Sequence, residues 1–518
     1  MRNWQLTVPL DRHHDKPLYL QLADAVSEDI RRGRLNPGDA LPGTRELADA
    51  LGLNRNTIVA GYAELFAEGL VESHPRGGTF VAPRQASIAG FPQASRDTPT
   101  YPLQPATAVP SAPLIKPGML TLAYGWPDLR LLPARALSRA FRRAISPRAR
   151  TLLTQNEIGG HRRLREELAR MLSRTRGLVT TAQDIVVTRG IEQGIDLVAR
   201  TLIRPGDAVA IEAFGYPPAW RSLKNAGAQL LPVPVDAKGL DVDALEALLA
   251  ARPIRAIFIT PHHQFPTTTV MAPEGRARLA QLALQHRFAI IEDDYDYELH
   301  YEGDPVLPIA AGSGRSNVVY IGTLSILLAP TVSIGFVVAP PVVRDHLINL
   351  RAYCDRQGDA AIECAIAELF EDGEMLRHVR RMRRAYTARR DAFVRALERH
   401  LRGILDFDAP HGGLAVWARV DDSIDVAQWR EACEREGVLV GDAQSYHYDR
   451  GDASHLRLAF GFHNGDELEE AVRRMARALA ALRADDINGR RAASGGRSNI
   501  AYGSNPSPNR RSGTGVYT

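Results

Sequence analysis

"VVYIGTLSILLAPTVSIGFVVA", residues 318–339, holds two short apolar runs, VVYIG and IGFVVA, on either side of a loop. Runs of this length, rich in Val and Ile, read as strands buried on both faces. The same signature recurs at DIVVT (184–188), AVAIEA (208–213), AIFIT (256–260) and FAIIED (288–293). Amphipathic helical segments separate them, and that alternation predicts an α/β domain with a mostly parallel sheet covered by helices.

The pattern holds from about residue 118 to 484 and stops on either side. Residues 83–117 carry eight prolines with little apolar periodicity and read as an extended linker. Residues 485–518 are rich in Gly, Ser, Asn and Arg and read as a disordered basic tail. The chain is therefore multidomain, as its 518 residues suggest. No apolar run approaches the roughly 20 residues a bilayer span needs, and the N-terminus shows no signal-peptide pattern. No membrane partner and a cytoplasmic setting are expected. Cys354, Cys364 and Cys433 are odd in number and far apart, so they outline neither a disulfide framework nor a metal site. No metal is expected. The net charge of +4 comes from the tail, whose stretch 487–518 has five arginines and no acid. Net charge alone thus does not indicate nucleic acid; a motif must.

That motif lies in residues 12–82. PLYLQLADAVSEDIRRG (17–33) places Leu18, Leu22, Val26 and Ile30 on one helical face. TRELADALG (44–52) predicts a short helix, with Thr44 as N-cap and Gly52 as its stop. LNRNTIVAGYAELFAEG (53–69) predicts a second helix capped by Asn54, and LVESHPRGGTFVA (70–82) two strands forming a wing. Helix, short helix, turn, helix, wing is the winged helix-turn-helix order. The first turn of the second helix of such a pair enters the major groove. Arg55, Asn56 and Thr57 are therefore candidates for base or phosphate contact, with Asn54 beside them. Arg45, Arg76 and the backbone at Gly77 and Gly78 are candidates for phosphate contact. The segment resembles the GntR-type DNA-binding domain over its full length.

Residues 118–484 resemble the fold-type I aminotransferase domain. The markers are TPHHQFPTT (260–268), IIEDDYDYELHYEGDP (290–305), VVYIGTLS (318–325), RHVRRMRRAYTARRD (377–391) and LRLAFG (456–461). With the GntR-type head, the chain is similar to the MocR/GabR transcriptional regulators. That resemblance implies operator DNA and a small-molecule effector as partners, a head-to-tail homodimer, and a pyridoxal phosphate pocket. In the pocket Asp293 would face the pyridine nitrogen, Tyr295 the ring hydroxyl and Tyr216 the ring face. Thr323 and Ser325 would face the phosphate, and Arg457 a ligand carboxylate.

Several positions depart from the family pattern. Ile326 stands where the Schiff-base lysine is expected, and Ser333 where a phosphate-binding arginine is expected. Ile191 and Glu192 replace a hydroxyl and a glutamine at a helix start, and Thr268 replaces a glycine. The four lysines, Lys16, Lys116, Lys224 and Lys238, all precede the loop, so none substitutes by slipping register. Isoleucine supplies no amine for a Schiff base. The expectation is a DNA-binding regulator with no catalytic residues, no transamination and a vestigial cofactor pocket. Two alternatives stay open: an active pyridoxal-phosphate aminotransferase with a DNA-binding head, and a regulator holding the cofactor without a covalent bond.

Overall fold

The structure is a computed structural model. It describes residues 10–12, 14–74, 77–83, 115–146, 154, 157–356, 358–441, 443–451 and 454–495, with side chains described as far as 484. The chain divides into two compact units, Met1–Ser111 and Ala112–Thr518.

In the smaller unit three helices, α1 (Leu18–Arg31), α2 (Thr44–Leu51) and α3 (Arg55–Ala67), precede two antiparallel strands, β1 (Val71–His74) and β2 (Gly78–Val81). Leu22, Val26, Leu47, Ile58, Tyr62, Leu65, Val71 and Val81 close one small core. The apolar stripe read on the first helix is its buried face. The close contact of α1 and α3 depends on Gly61. A Cβ there would stand 3.0 Å from both Leu22 Cδ2 and the Tyr19 carbonyl oxygen. Asn54 caps α3 as expected, its side-chain oxygen accepting from the Asn56 amide at 2.9 Å. Thr44 is not a cap: it is the first residue of α2, and Gly43 holds the cap position without a side-chain bond. Thr44 Oγ1 instead accepts from Arg55 Nε at 3.4 Å, tying the starts of the two helices together.

The larger unit is built on a seven-stranded sheet. From edge to edge it runs Ile185–Thr188, Gly335–Val338, Val318–Thr323, Ala289–Asp294, Ala256–Ile259, Ala208–Glu212 and Gln229–Val233. Gly335–Val338 pairs antiparallel with both its neighbours, and every other pairing is parallel. All six strands read from the sequence are present, and Gln229–Val233 is added at the edge. Its mixed sequence, QLLPV, breaks the run of Val and Ile that marks the others. The opening stretch is thus two adjacent antiparallel strands, Val318–Thr323 and Gly335–Val338, joined by an eleven-residue connection. A smaller antiparallel sheet, Leu405–Asp406, Ala415–Val420 and His455–Ala459, carries Arg457 opposite Trp417.

The last helix spans Gly465–Gly495. The start of the expected disordered tail therefore continues this helix, and residues 496–518 lie outside the described residues, as do 84–114 of the expected linker. Among the described residues no helix is long and apolar enough to cross a membrane.

Candidate nucleic-acid interface and ligand pocket

On the smaller unit Arg45, Asn54, Arg55 and Asn56 are exposed, and Thr57 is half-buried. Asn54 gives its oxygen to the cap, which leaves its amide nitrogen for an outside contact. Val59 follows on the exposed side of α3 at 46% exposure, an apolar group one turn beyond Arg55 and Asn56. The sequence reading passed over it because a valine in a helix looks like core. In the wing, the Gly77 amide donates to the His74 carbonyl at 3.1 Å and closes the turn, so it is not the free phosphate donor expected. Gly78 adopts φ +99°, which favours glycine there. Arg76 lies outside the described residues.

The pocket residues of the larger unit gather at the carboxyl ends of the parallel strands, where open α/β sheets bind ligands. Asp293 ends the central strand, buried, with Oδ1 lacking any hydrogen-bond partner. Burial, then the neighbouring Asp294, Glu192, Asp296 and Glu212, push its carboxyl far above the usual range. Tyr295 donates its hydroxyl to the His263 carbonyl at 3.1 Å. Phe265 sits at the centre of a group of rings, edge-on to Tyr216 (5.4 Å), Tyr446 (5.3 Å) and Tyr295 (6.1 Å). On the same ring lies the Arg457 guanidinium, 4.7 Å from the centroid. Arg457 is only 5% exposed, yet among the described residues no hydrogen bond or ion pair reaches its guanidinium. Gly125 leaves it room, since a Cβ there would stand 3.1 Å from Nη2.

The other end differs. The helix Gly190–Leu202 begins with no side-chain cap and has Glu192 in its first turn. Glu192 Oε1 accepts from the Tyr216 hydroxyl at 2.7 Å, so an acid fixes the edge of the Tyr216 ring. A Cβ at Gly190 would lie 2.7 Å from Ser333 Oγ and 3.3 Å from Glu192 Oε2, which places both side chains at the helix start. The Thr323 hydroxyl donates to the Ile334 carbonyl at 3.0 Å and accepts from the Ser325 amide at 3.0 Å. Ser325 Oγ is buried without a partner. Ile326 packs against the core beside the buried Leu324, Leu327 and Leu328. Thr268 adopts φ +62°. A β-branched residue rarely takes that conformation, so the backbone keeps a shape suited to glycine.

A family model for bacterial regulatory proteins of the gntR family matches residues 18–81, and one for aminotransferase class I and II matches residues 121–475. The probable rhizopine catabolism regulatory protein MocR of Rhizobium meliloti is 33% identical over 440 residues, 83% of this chain and 87% of that protein. The chain belongs to the MocR-type transcriptional regulators. The HTH-type pyridoxine biosynthesis transcriptional regulator PdxR of Corynebacterium glutamicum is 29% identical over 466 residues, 89% of this chain and 95% of that protein. Among solved structures, LysN of Thermus thermophilus, an α-aminoadipate aminotransferase complexed with N-(5'-phosphopyridoxyl)-L-leucine, superimposes with a TM-score of 0.66 at 26% identity. The match covers 71% of this chain and 94% of LysN. MocR-type chains thus join a DNA-binding head to the scaffold of a pyridoxal-phosphate enzyme.

For this MocR-type chain Arg457 lies against Phe265, and Glu192 and Ser333 lie at the start of the helix Gly190–Leu202. Asp293 Oδ1 is free for a ring nitrogen. At the phosphate end the residues present do not fit a phosphate dianion: an acid at the helix start, a serine at 333 and a threonine hydroxyl already committed to backbone.

Proposed function

We propose that this chain regulates transcription by binding operator DNA through its winged helix, and that its aminotransferase-like domain senses a small carboxylate-bearing molecule without transaminating it. The observation that carries this reading is Arg457, a buried side chain whose guanidinium has no acid paired to it among the described residues and an aromatic ring beneath it. A buried charge left unpaired is costly, and a bidentate carboxylate is its natural complement. Ile326 provides no amine, so neither a covalent cofactor nor the proton transfers of transamination are expected. By family resemblance the working form is a head-to-tail homodimer in the cytoplasm, its two heads meeting two half-sites.

Arg55 tests the DNA reading. Exposed at the first turn of α3, it is placed for a base edge, and Arg55→Ala should weaken operator binding by roughly 1–3 kcal/mol. DNA fragments selected from the genome by the purified full-length protein supply the operator for a gel-shift titration. Unchanged affinity in the Arg55→Ala protein would remove Arg55 from the interface.

A second reading is favoured by the partnerless Asp293 Oδ1. A pyridine ring could pair with it, so that pyridoxal phosphate or an amine derivative binds without a covalent bond. Reversible uptake of pyridoxal phosphate, lost on dialysis and absent in Asp293→Ala, would select this reading.

A further inference from the structure

Three histidines beside the pocket are used by nothing described so far. His262 and His263 follow the strand Ala256–Ile259, and His300 lies past the end of the strand Ala289–Asp294. All three are buried, at 2%, 1% and 6% exposure. Each offers a ring nitrogen, and these three atoms lie within 4.8 Å of one another. Among the described residues no hydrogen bond reaches either ring nitrogen of His262 or Nε2 of His263, and His300 has only a poorly aligned contact with the Glu302 backbone. Buried polar groups normally have partners, so unpaired nitrogens on neighbouring rings in one spot point to a missing ligand.

His263 is already oriented for that role. Its Nδ1 lies 2.8 Å from Asp296 Oδ1, and a carboxylate there fixes the proton on Nδ1 and turns the lone pair of Nε2 outward. The Gly412 backbone packs close beside that nitrogen, and only glycine fits there, because a Cβ would stand 2.1 Å from Nε2. His262 stacks on Tyr297 at 4.5 Å, which holds its ring plane. We infer that His262, His263 and His300 form a binding site for one divalent transition-metal ion of the zinc class, with Asp296 orienting His263 from behind.

The ligand set is all imidazole, which suits zinc and its neighbours rather than magnesium or calcium. Tetrahedral binding at about 2.0 Å per nitrogen brings donor atoms to about 3.3 Å from one another, so the widest separation closes by about 1.5 Å, chiefly by movement of His300, the ring that neither Asp296 nor Tyr297 holds. The positive charge of Arg176 is met by Asp294 at 3.7 Å and by Glu298. The sequence hid the site because its ligands come from two different loops and match no ligand spacing.

The test uses the full-length protein, stripped with a chelator and dialysed against zinc or cobalt(II). One ion per chain should remain, the cobalt form should show the intense visible spectrum of a tetrahedral site, and His262→Asn and His300→Asn should each lose it. X-ray absorption at the zinc edge should show imidazole nitrogen scattering without sulfur; this arm needs no variant to fold. A protein that retains no zinc, binds it equally well after both substitutions, or shows sulfur ligation overturns the assignment.

Discussion

In one region the Arg457 guanidinium lies on Phe265 with no acid among the described residues to pair it; in another, Glu192 already stands at a helix start with Tyr216 bonded to it. A helix N-terminus attracts an anion through its free amides and its dipole. In a phosphate-binding scaffold that anion arrives with the ligand, and here the chain carries its own. The two regions therefore make opposite demands on a ligand. The Arg457 end needs a carboxylate from outside, while the Glu192 end repels a phosphate. On the proposed reading, ligand recognition and cofactor retention rest on different side chains, so one can be lost without the other.

The largest expected effect is at the retained end. A bidentate carboxylate on Arg457 contributes about 2–3 kcal/mol, so Arg457→Ala should weaken the binding of a sensed amino acid or carboxylate about a hundredfold. A thermal-shift panel of amino acids and simple carboxylates on the full-length protein finds the ligand, and titration compares the variant. A ligand that binds both proteins equally would break the contrast between the ends.

A smaller change is expected at the lost end. Ile326→Lys alone should recover little pyridoxal phosphate, because Glu192 and Ser333 still oppose the phosphate. Adding Ser333→Arg and Glu192→Gln should improve affinity about tenfold, on the order of 1.4 kcal/mol, read by absorbance titration. If the single variant binds as well as the triple, the phosphate end was never the obstacle.

The smallest effect concerns Glu212, buried and bonded to the amide and hydroxyl of Thr260 at 3.1 and 2.7 Å. Burial pushes its carboxyl up to about 7. A raised carboxyl binds its proton more tightly when folded, so its stabilising contribution is complete below pH 4.5 and is lost as pH climbs through 7. Glu212→Gln keeps an acceptor for Thr260 and does not titrate. Wild-type stability in urea should therefore fall relative to the variant between about pH 5 and pH 8, by on the order of 1 kcal/mol. Parallel pH profiles would show that the Glu212 carboxyl has the same pKa folded and unfolded.

Both domains were legible because their signals are local. Val/Ile runs mark strands buried on both faces, and Asn54 before a helical run marks a cap wherever it occurs. Thr44 misled because a threonine before an apolar pattern looks like a cap, whereas its hydroxyl here serves Arg55. The tail composition suggested disorder from residue 485, but the helix begun at Gly465 carries on to Gly495. In the pocket, the residue identities at 326 and 333 could be read directly. That Glu192 engages Tyr216, or that Arg457 has no acid, could not, since both depend on segments far apart in the chain. His262, His263 and His300 are the extreme case, meeting only once two strand ends lie side by side.

Borohydride treatment of the freshly purified wild-type protein, followed by intact-mass measurement and peptide mapping, asks most directly whether the cofactor chemistry is gone. With Ile326 in place of an amine, no absorption should survive dialysis and no mass should be added. A yellow protein that gains the mass of a reduced pyridoxal phosphate adduct, mapped to Lys224, Lys238 or any other amine, would contradict a pocket that recognises ligands without holding its cofactor.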